Sequence, residues 1–538
     1  MSVPARPAAP AALGPAVLPI LCMLAASAVY ATLQGIAWRN VGGFEYPLDD
    51  VYIHLAVAEQ IAAGNYGVNA AEVSSPASSP LYPLLLVPFA GTEAQRWLPL
   101  LWNVAGMLAS AALFGRILWQ AGVAVPLAVG LAVAAPVALN ISGLAAVGME
   151  HSLHMAASLA IVSGLLDHLR TGRLPALLWI GIPLAPALRP EGLALALAAS
   201  AAVALRGRWR AGVALAVLGL LPQVVFALTL RGLGLDAVPS SVLTKLDAGD
   251  DGPLADLMRN LSDPAGTVLA GLTAMTALSA LVAAARGARE AAWLAAACAA
   301  AGAAHLLAGR TGWLFRYEPY ALAIVAAGLV VALAALPRRT ALPLSVTALA
   351  LGGLAFLRHA MTALPMIALN PLAIHLQQAQ MGRFAHDYLR APVAVNDLGR
   401  VAWTNPSHVL DLWGLASAEA RRIRLSDPAP GWAQPLVEAQ GVDLAMIYDD
   451  WLEDARGPDW VRLGTLQMDY APPRMERSGI ARRPLVLGGR EVAFYATRPD
   501  AVPRLRAALG PWAESLPPGA VFVPAERSDA GATGGAGR

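Results

Sequence analysis

Two adjacent carboxylates, Asp49 and Asp50, open the segment Pro47-Leu48-Asp49-Asp50-Val51-Tyr52-Ile53-His54-Leu55. A helix N-cap uses one acid, and either residue could serve as that cap. A second acid beside it is free for other work. If the helix continues, Asp50 and His54 share a face one turn apart. His54 then either packs at the interface or touches a substrate. Further ionisable residues recur between apolar runs: Glu150, Arg189 and Glu191, Lys245, Arg310, and Arg316 with Tyr317. A carboxylate near several fixed cations suits the transfer of a sugar carried on a lipid phosphate. The phosphate leaves without needing a proton. The carboxylate takes the proton of the attacking hydroxyl, and the cations stabilise the charge growing on the departing phosphate. A one-step displacement of this kind inverts the anomeric centre.

Each of these residues also has a bland explanation. Glu150 matches the dipole of a helix N-terminus. Arg189 and Glu191 could pair with each other at the break that Pro190 favours. Lys245 could be a solvated loop lysine, and Arg316 could snorkel to an interface. Asp397 and Asp411 read as turn formers.

The elements that position these residues are apolar. The chain has 538 residues, of which 57% are hydrophobic and only 14% charged; a soluble protein carries roughly 25% charged residues. Runs long enough to cross roughly 30 Å of hydrocarbon recur through the first two thirds. Eleven spans are expected, near 14–36, 95–117, 122–141, 151–169, 174–188, 191–205, 211–231, 264–285, 290–308, 318–336 and 341–360. Basic groups at Arg116, His168 to Arg173, Arg206 to Arg210, Arg286 with Arg289, and Arg338 with Arg339 fall at alternate span ends. The positive-inside rule makes those ends cytoplasmic. The N-terminus is then inside, and the chemistry-bearing residues gather on the outer face.

The expected organisation is a polytopic α-helical region over 1–365 with a large first outer loop at 37–94. A C-terminal extracytoplasmic α/β domain follows over 366–526, then a disordered tail at 527–538. Strands are expected at 394–396, 442–448 and 492–495. Cys22 and Cys298 lie inside apolar runs, which argues against a disulfide framework. No P-loop, dinucleotide fingerprint or zinc spacing occurs, and the cytoplasmic loops are too short for a nucleotide-binding domain. A nucleotide-sugar donor is therefore disfavoured. The paired aspartates could hold a divalent cation, but few further oxygen ligands accompany them.

Asp49-Asp50-Val51-Tyr52-Ile53 followed by Ser79-Pro80-Leu81-Tyr82 resembles the first-loop pattern of GT-C fold glycosyltransferases. The closest resemblance is to bacterial members written roughly DDAYI…TSPLW, among them terminal arabinofuranosyltransferases, and to protein mannosyltransferase-like proteins. Gly148-Met149-Glu150 resembles that family's G-[LM]-E, and Arg189-Pro190-Glu191-Gly192 matches its RPEG. Pro239-Ser240-Ser241 through Lys245 is similar to its PNT…K, and Arg316-Tyr317-Glu318-Pro319 to its RY…P. Asn396 to Gly399 and Asp411 to Leu415 resemble its ND-x-G and D-x-x-GL. Two departures are Ser240-Ser241 in place of Asn-Thr, and His54 where the family often has Thr.

The resemblance implies a polyprenyl-phosphate-linked sugar donor and a glycan, lipid or protein acceptor. It also implies an active site on the outer side of a bacterial plasma membrane, with Asp49 or Asp50 as the catalytic acid. Substrate binding would then fall to His54, Glu150, Arg189, Glu191, Lys245, Arg316 and Tyr317. A transporter or flippase for a lipid-linked substrate fits the broken runs around Arg189 but not the long acidic loop. A non-catalytic envelope-assembly subunit is the third possibility.

Overall fold

Long runs of Ala and Leu, the strongest helix formers, give helices at all eleven expected positions. The computed structural model describes residues 13–70, 72–246, 252–426, 428–468 and 489–525. The chain is mostly helical, at 68%. Among the described residues, eight helices are long and apolar enough to cross a membrane. They are Val17–Val41, Glu93–Ala121, Val125–Val147, His151–Thr171, Trp209–Gly232, Pro264–Ala285, Arg289–Ala308 and the long helical stretch Arg338–Leu389.

The other three helices stop short. Ala176–Leu188, Gly192–Leu205 and Pro319–Ala334 have 13, 14 and 16 residues. At 1.5 Å per residue these reach only about 20–24 Å. Their ends are set by residues that an apolar helix cannot continue through: Arg189-Pro190-Glu191 separates the first two, and Arg316-Tyr317-Glu318 precedes the third. The shortened helices leave a cavity at that end of the bundle.

The stretch Arg338–Leu389 passes through π-helical turns at His359–Ala363 and Phe384–Leu389 and leads into the C-terminal sheet. Six strands form it: β1 (Val393–Val395), β2 (Val409–Asp411), β3 (Leu444–Ile447), β4 (Val461–Met468), β5 (Glu491–Ala496) and β6 (Ala520–Pro524). Their spatial order is β2-β1-β3-β5-β4-β6. The pairs β1–β2 and β1–β3 are parallel, and the remaining pairs are antiparallel. The expected strands at 394–396, 442–448 and 492–495 correspond to β1, β3 and β5.

The first loop is fastened onto this sheet. Its helix Asp50–Ala62 buries Val51 through Ala58 in a core shared with β1, β3 and β5. The side chain of Asn69 donates to Val409 O at 3.0 Å and accepts from Val409 N at 2.9 Å. It thereby satisfies part of the open edge of β2, which would otherwise be a pairing hazard. Trp403 Nε1 donates to Gln95 at 2.9 Å. The loop and the sheet form one layer over the bundle.

Candidate active site

Asp50 begins the Asp50–Ala62 helix, and its Oδ2 lies 2.5 Å from Nη2 of Arg316. Arg316 is 2% exposed. It is delivered by an unusual turn: Trp313, Leu314 and Phe315 have φ of 41°, 57° and 54°, directly after Gly312 at 84°. Consecutive left-handed conformations at non-glycine residues are costly, roughly 1–2 kcal/mol each, and persist where the surroundings hold them. Two side chains do so here, Asn140 and Glu318. Asn140 donates to Phe315 O at 2.9 Å. Glu318 accepts from Gly312 N at 3.0 Å while pairing with Arg358 at 3.1 Å.

Arg316 also donates to the Tyr317 hydroxyl at 3.1 Å. The Tyr317 ring lies 5.0 Å from the Arg316 guanidinium and 5.5 Å from that of Arg189, within cation–π range of both. Arg189 in turn divides its fork between two acids, with Nη1 2.7 Å from Glu150 and Nη2 2.7 Å from Glu191. Glu150 has no exposed surface, and its second oxygen lies 3.6 Å from His54 Nε2. The His54 ring meets Tyr82 edge-on at 5.3 Å, and the Tyr82 hydroxyl donates to Gly148 O at 2.6 Å. Asp50, His54, Glu150, Arg189, Glu191, Arg316 and Tyr317 thus form one continuous network, although they come from four distant stretches of chain.

Asp49 has a different place. It occupies the N-cap position but caps nothing with its side chain. Instead its two oxygens accept from Gly399 N at 2.6 Å and Arg400 N at 2.8 Å, tying the loop to the turn after β1. A Cβ on Gly399 would stand 2.2 Å from Asp49 O, so only glycine permits this approach. Burial pushes the Asp49 carboxyl well above the usual carboxylate range, and the negative charge of Asp397 adds to that. Asp397 is also raised by burial, against hydrogen bonds from Gln378 at 2.8 Å and Tyr448 at 2.9 Å. Asp397 does not shape a turn, as the sequence suggests, but stands beside the paired aspartates. Asp411 does shape one, accepting from Trp413 N and Ala416 N at 2.8 and 2.7 Å.

Beside the network lies a cavity of about 350 Å³. Arg189, Glu191, Arg310, His305, Tyr317 and Tyr320 supply its polar lining, and small apolar residues such as Ala194 and Ala304 supply most of the rest. The Arg310 guanidinium is half-buried there and makes no ion pair among the described residues. Several buried polar atoms of the network also lack a hydrogen-bond partner: Nε and Nη1 of Arg316, the second carboxylate oxygen of Glu150, and that of Glu191, which lines the cavity. Buried groups of this kind are normally satisfied, so a polar ligand is the simplest occupant. Lys245 lies on the helix Ser240–Leu246, but its side chain is outside the described residues. That helix starts where Ser240 and Ser75 meet at 2.9 Å, and its Val242 lines the cavity. No cluster of three metal-ligating side chains occurs among the described residues.

The basic clusters sit at the other end of the bundle. There Arg116 pairs with Asp167 at 2.9 Å, Arg170 donates to Gln120 O at 2.5 Å, and Arg206 lies 3.9 Å from Glu290.

Residues 371–495 match the model of a domain of unknown function, DUF8728. The match covers the end of the long helix and the sheet through β5, and with it Asp397, Gln378 and Tyr448. No curated protein and no solved structure matches the chain.

Proposed function

We propose that this protein is an inverting glycosyltransferase of the GT-C type. In this reading it moves a sugar from a polyprenyl-phosphate donor to a glycan, lipid or protein acceptor at the outer face of a bacterial plasma membrane. All eleven helices lie within the bilayer, with the N-terminus cytoplasmic and the sheet domain extracytoplasmic. The observation that carries this reading is the Asp50–Arg316 pair beside a largely apolar cavity in which Arg310 makes no ion pair among the described residues. A soluble substrate would not need apolar walls, and an apolar ligand would not need buried guanidinium groups. A lipid phosphate needs both.

Three features support the membrane placement. The Trp209–Gly232 helix exposes Val213, Val217, Leu221, Val224 and Leu228, each about half uncovered or more; a helix that is apolar all round belongs in lipid. The basic clusters at one end fit the positive-inside rule. The short helices leave the charged residues and the cavity together near one end of the apolar bundle, as a lipid-headgroup site requires.

The chemistry follows from the placement. Asp50 accepts the proton of the acceptor hydroxyl as that oxygen bonds to the anomeric carbon. The bond from that carbon to the phosphate oxygen breaks on the opposite face, and its electron pair leaves with the lipid phosphate. Arg310 and the unpartnered N–H groups of Arg316 take up the growing negative charge. Arg316 also keeps Asp50 aimed. Asp49 acts as a positioning residue, because both of its oxygens are already engaged by the backbone. Arg189 is neutralised by Glu150 and Glu191, so it organises the site rather than meeting the phosphate.

The test replaces each aspartate in the purified protein and follows sugar release from labelled lipid donors extracted from the native membrane. Asp50→Asn is expected to fold normally and lose transfer by about 10²–10⁴-fold, the usual contribution of a general base. Asp49→Asn is expected to lose less. Transfer by Asp50→Asn at the wild-type rate would sink the proposal.

A further inference from the structure

The acids of the network outnumber what the chemistry above requires. Glu150 and Glu191 both hold Arg189 through one oxygen at 2.7 Å. In each, the second oxygen is buried and has no hydrogen-bond partner. Glu191 lines the cavity, next to hydroxyls of Ser78, Tyr317 and Tyr320. The Tyr320 hydroxyl lies 3.1 Å from His305 Nδ1, which fixes it within the same wall. The cavity lining therefore carries two kinds of group, a cation at Arg310 and a carboxylate with hydroxyls at Glu191, Ser78 and Tyr320, while Arg316 stands behind the wall at Tyr317. Its volume of about 350 Å³ lies at the lower end of ligand pockets, which run from roughly 300 to 1,000 Å³.

We infer that the Glu191 side of this cavity holds the donor's glycosyl group, and that this group is a single neutral sugar recognised through its hydroxyls. This rests on the lipid-phosphate reading of the cationic side. A carboxylate oxygen accepts two or more hydroxyl donors, and a charge-assisted bond of this kind is stronger than a neutral one. Arg189 holds the Glu191 carboxylate in a fixed direction, so it acts on the sugar through that acid. A sugar bearing its own carboxylate would set like charges a few ångströms apart. At an effective dielectric of about 20 that repulsion amounts to more than a tenfold change in affinity. Discrimination therefore comes from repulsion of acidic sugars as well as attraction of neutral ones.

The test uses the full chain in lipid nanodiscs and three probes: undecaprenyl phosphate, undecaprenyl-phosphoglucose and undecaprenyl-phosphoglucuronate. Apparent Kd is read from tryptophan fluorescence. The expected result is that the glucosyl lipid binds at least tenfold more tightly than the glucuronosyl lipid. In Glu191→Gln that gap is expected to shrink below threefold, while the bare lipid phosphate binds as before; a collapsed site would weaken all three. Equal binding of the two sugar lipids by the wild-type protein overturns the inference, as does a gap that Glu191→Gln leaves intact. If the bare lipid phosphate binds and the gap is missing, only the sugar assignment fails. If none of the three binds, the lipid-phosphate reading fails with it.

Discussion

Arg189 lies between Glu150 and Glu191, and its removal would leave the fully buried Glu150 carboxyl without its guanidinium partner. Breaking a buried pair from one side costs roughly 3–5 kcal/mol. Arg189→Ala is therefore expected to lower stability by about that amount, read as a drop in the unfolding midpoint in detergent. Arg189→Met combined with Glu150→Gln and Glu191→Gln is expected to recover most of the loss, because no stranded charge remains. At this scale the sequence was informative wherever a charge interrupted an apolar run. Asp50, Glu150, Arg189, Glu191 and Arg316 stand out because ionisable groups at such places are expensive. The division of labour among them was not legible. Spacing cannot reveal that Arg189 is neutralised by two acids, or that Asp49 is engaged by backbone groups 350 and 351 positions away. Asp397 reads as an ordinary turn acid because its neighbours, Asp49 and Tyr448, are brought to it only by folding.

The turn from Gly312 to Phe315 is the element that aims Arg316, and it does so with three strained residues in succession. Trp313 is exposed, so the backbone contribution can be isolated there. Trp313→Val is expected to be less stable than Trp313→Asn by about 1–2 kcal/mol, because Asn tolerates positive φ and a β-branched residue does not. Equal midpoints for the two variants would remove strain from the account. The contact of the first loop with the turn after β1 carries a pH dependence of its own. Asp49 is raised by burial and by the charge of Asp397, so the folded state binds more protons than the unfolded chain. Stability contributed by this contact is then complete below about pH 4, the unfolded value, and is lost as pH rises through the raised folded value. Hydrogen exchange at the Gly399 and Arg400 amides is expected to quicken, beyond its intrinsic pH trend, from acid towards neutral pH. Asp49→Asn is expected to flatten that excess. The helices were legible because apolar length alone marks them. The strands were less so. β2 has three residues, β4 carries Gly464 where it shifts register, and β6 is an edge strand with mostly exposed side chains. None of the three presents the strict apolar–polar alternation over four or more residues by which a half-buried strand is read.

At the scale of the whole molecule, one arrangement governs the rest. Among the described residues eight long apolar helices pack with three short ones, and the short helices end where the charged residues lie. The first loop and the C-terminal sheet cover that end as a single layer, with Asp49, Asn69 and Gln95 as the fastenings. The opposite end holds the arginine clusters. The alternation of basic residues along the chain carries this polarity, because each cluster must return to the same side after an even number of crossings. The joining of loop and sheet was not readable, since it rests on contacts between residues more than 300 positions apart.

The central claim is that this end of the bundle binds a lipid phosphate between Arg310 and Arg316. A cryo-electron-microscopy map of the protein in nanodiscs containing undecaprenyl phosphate tests it most directly. The account predicts density for the phosphate within hydrogen-bonding distance of both guanidinium groups, and for the prenyl chain leaving past Ala304 and Ala308. Phosphate density at the arginine clusters of the opposite end, with the cavity occupied only by water, would contradict it.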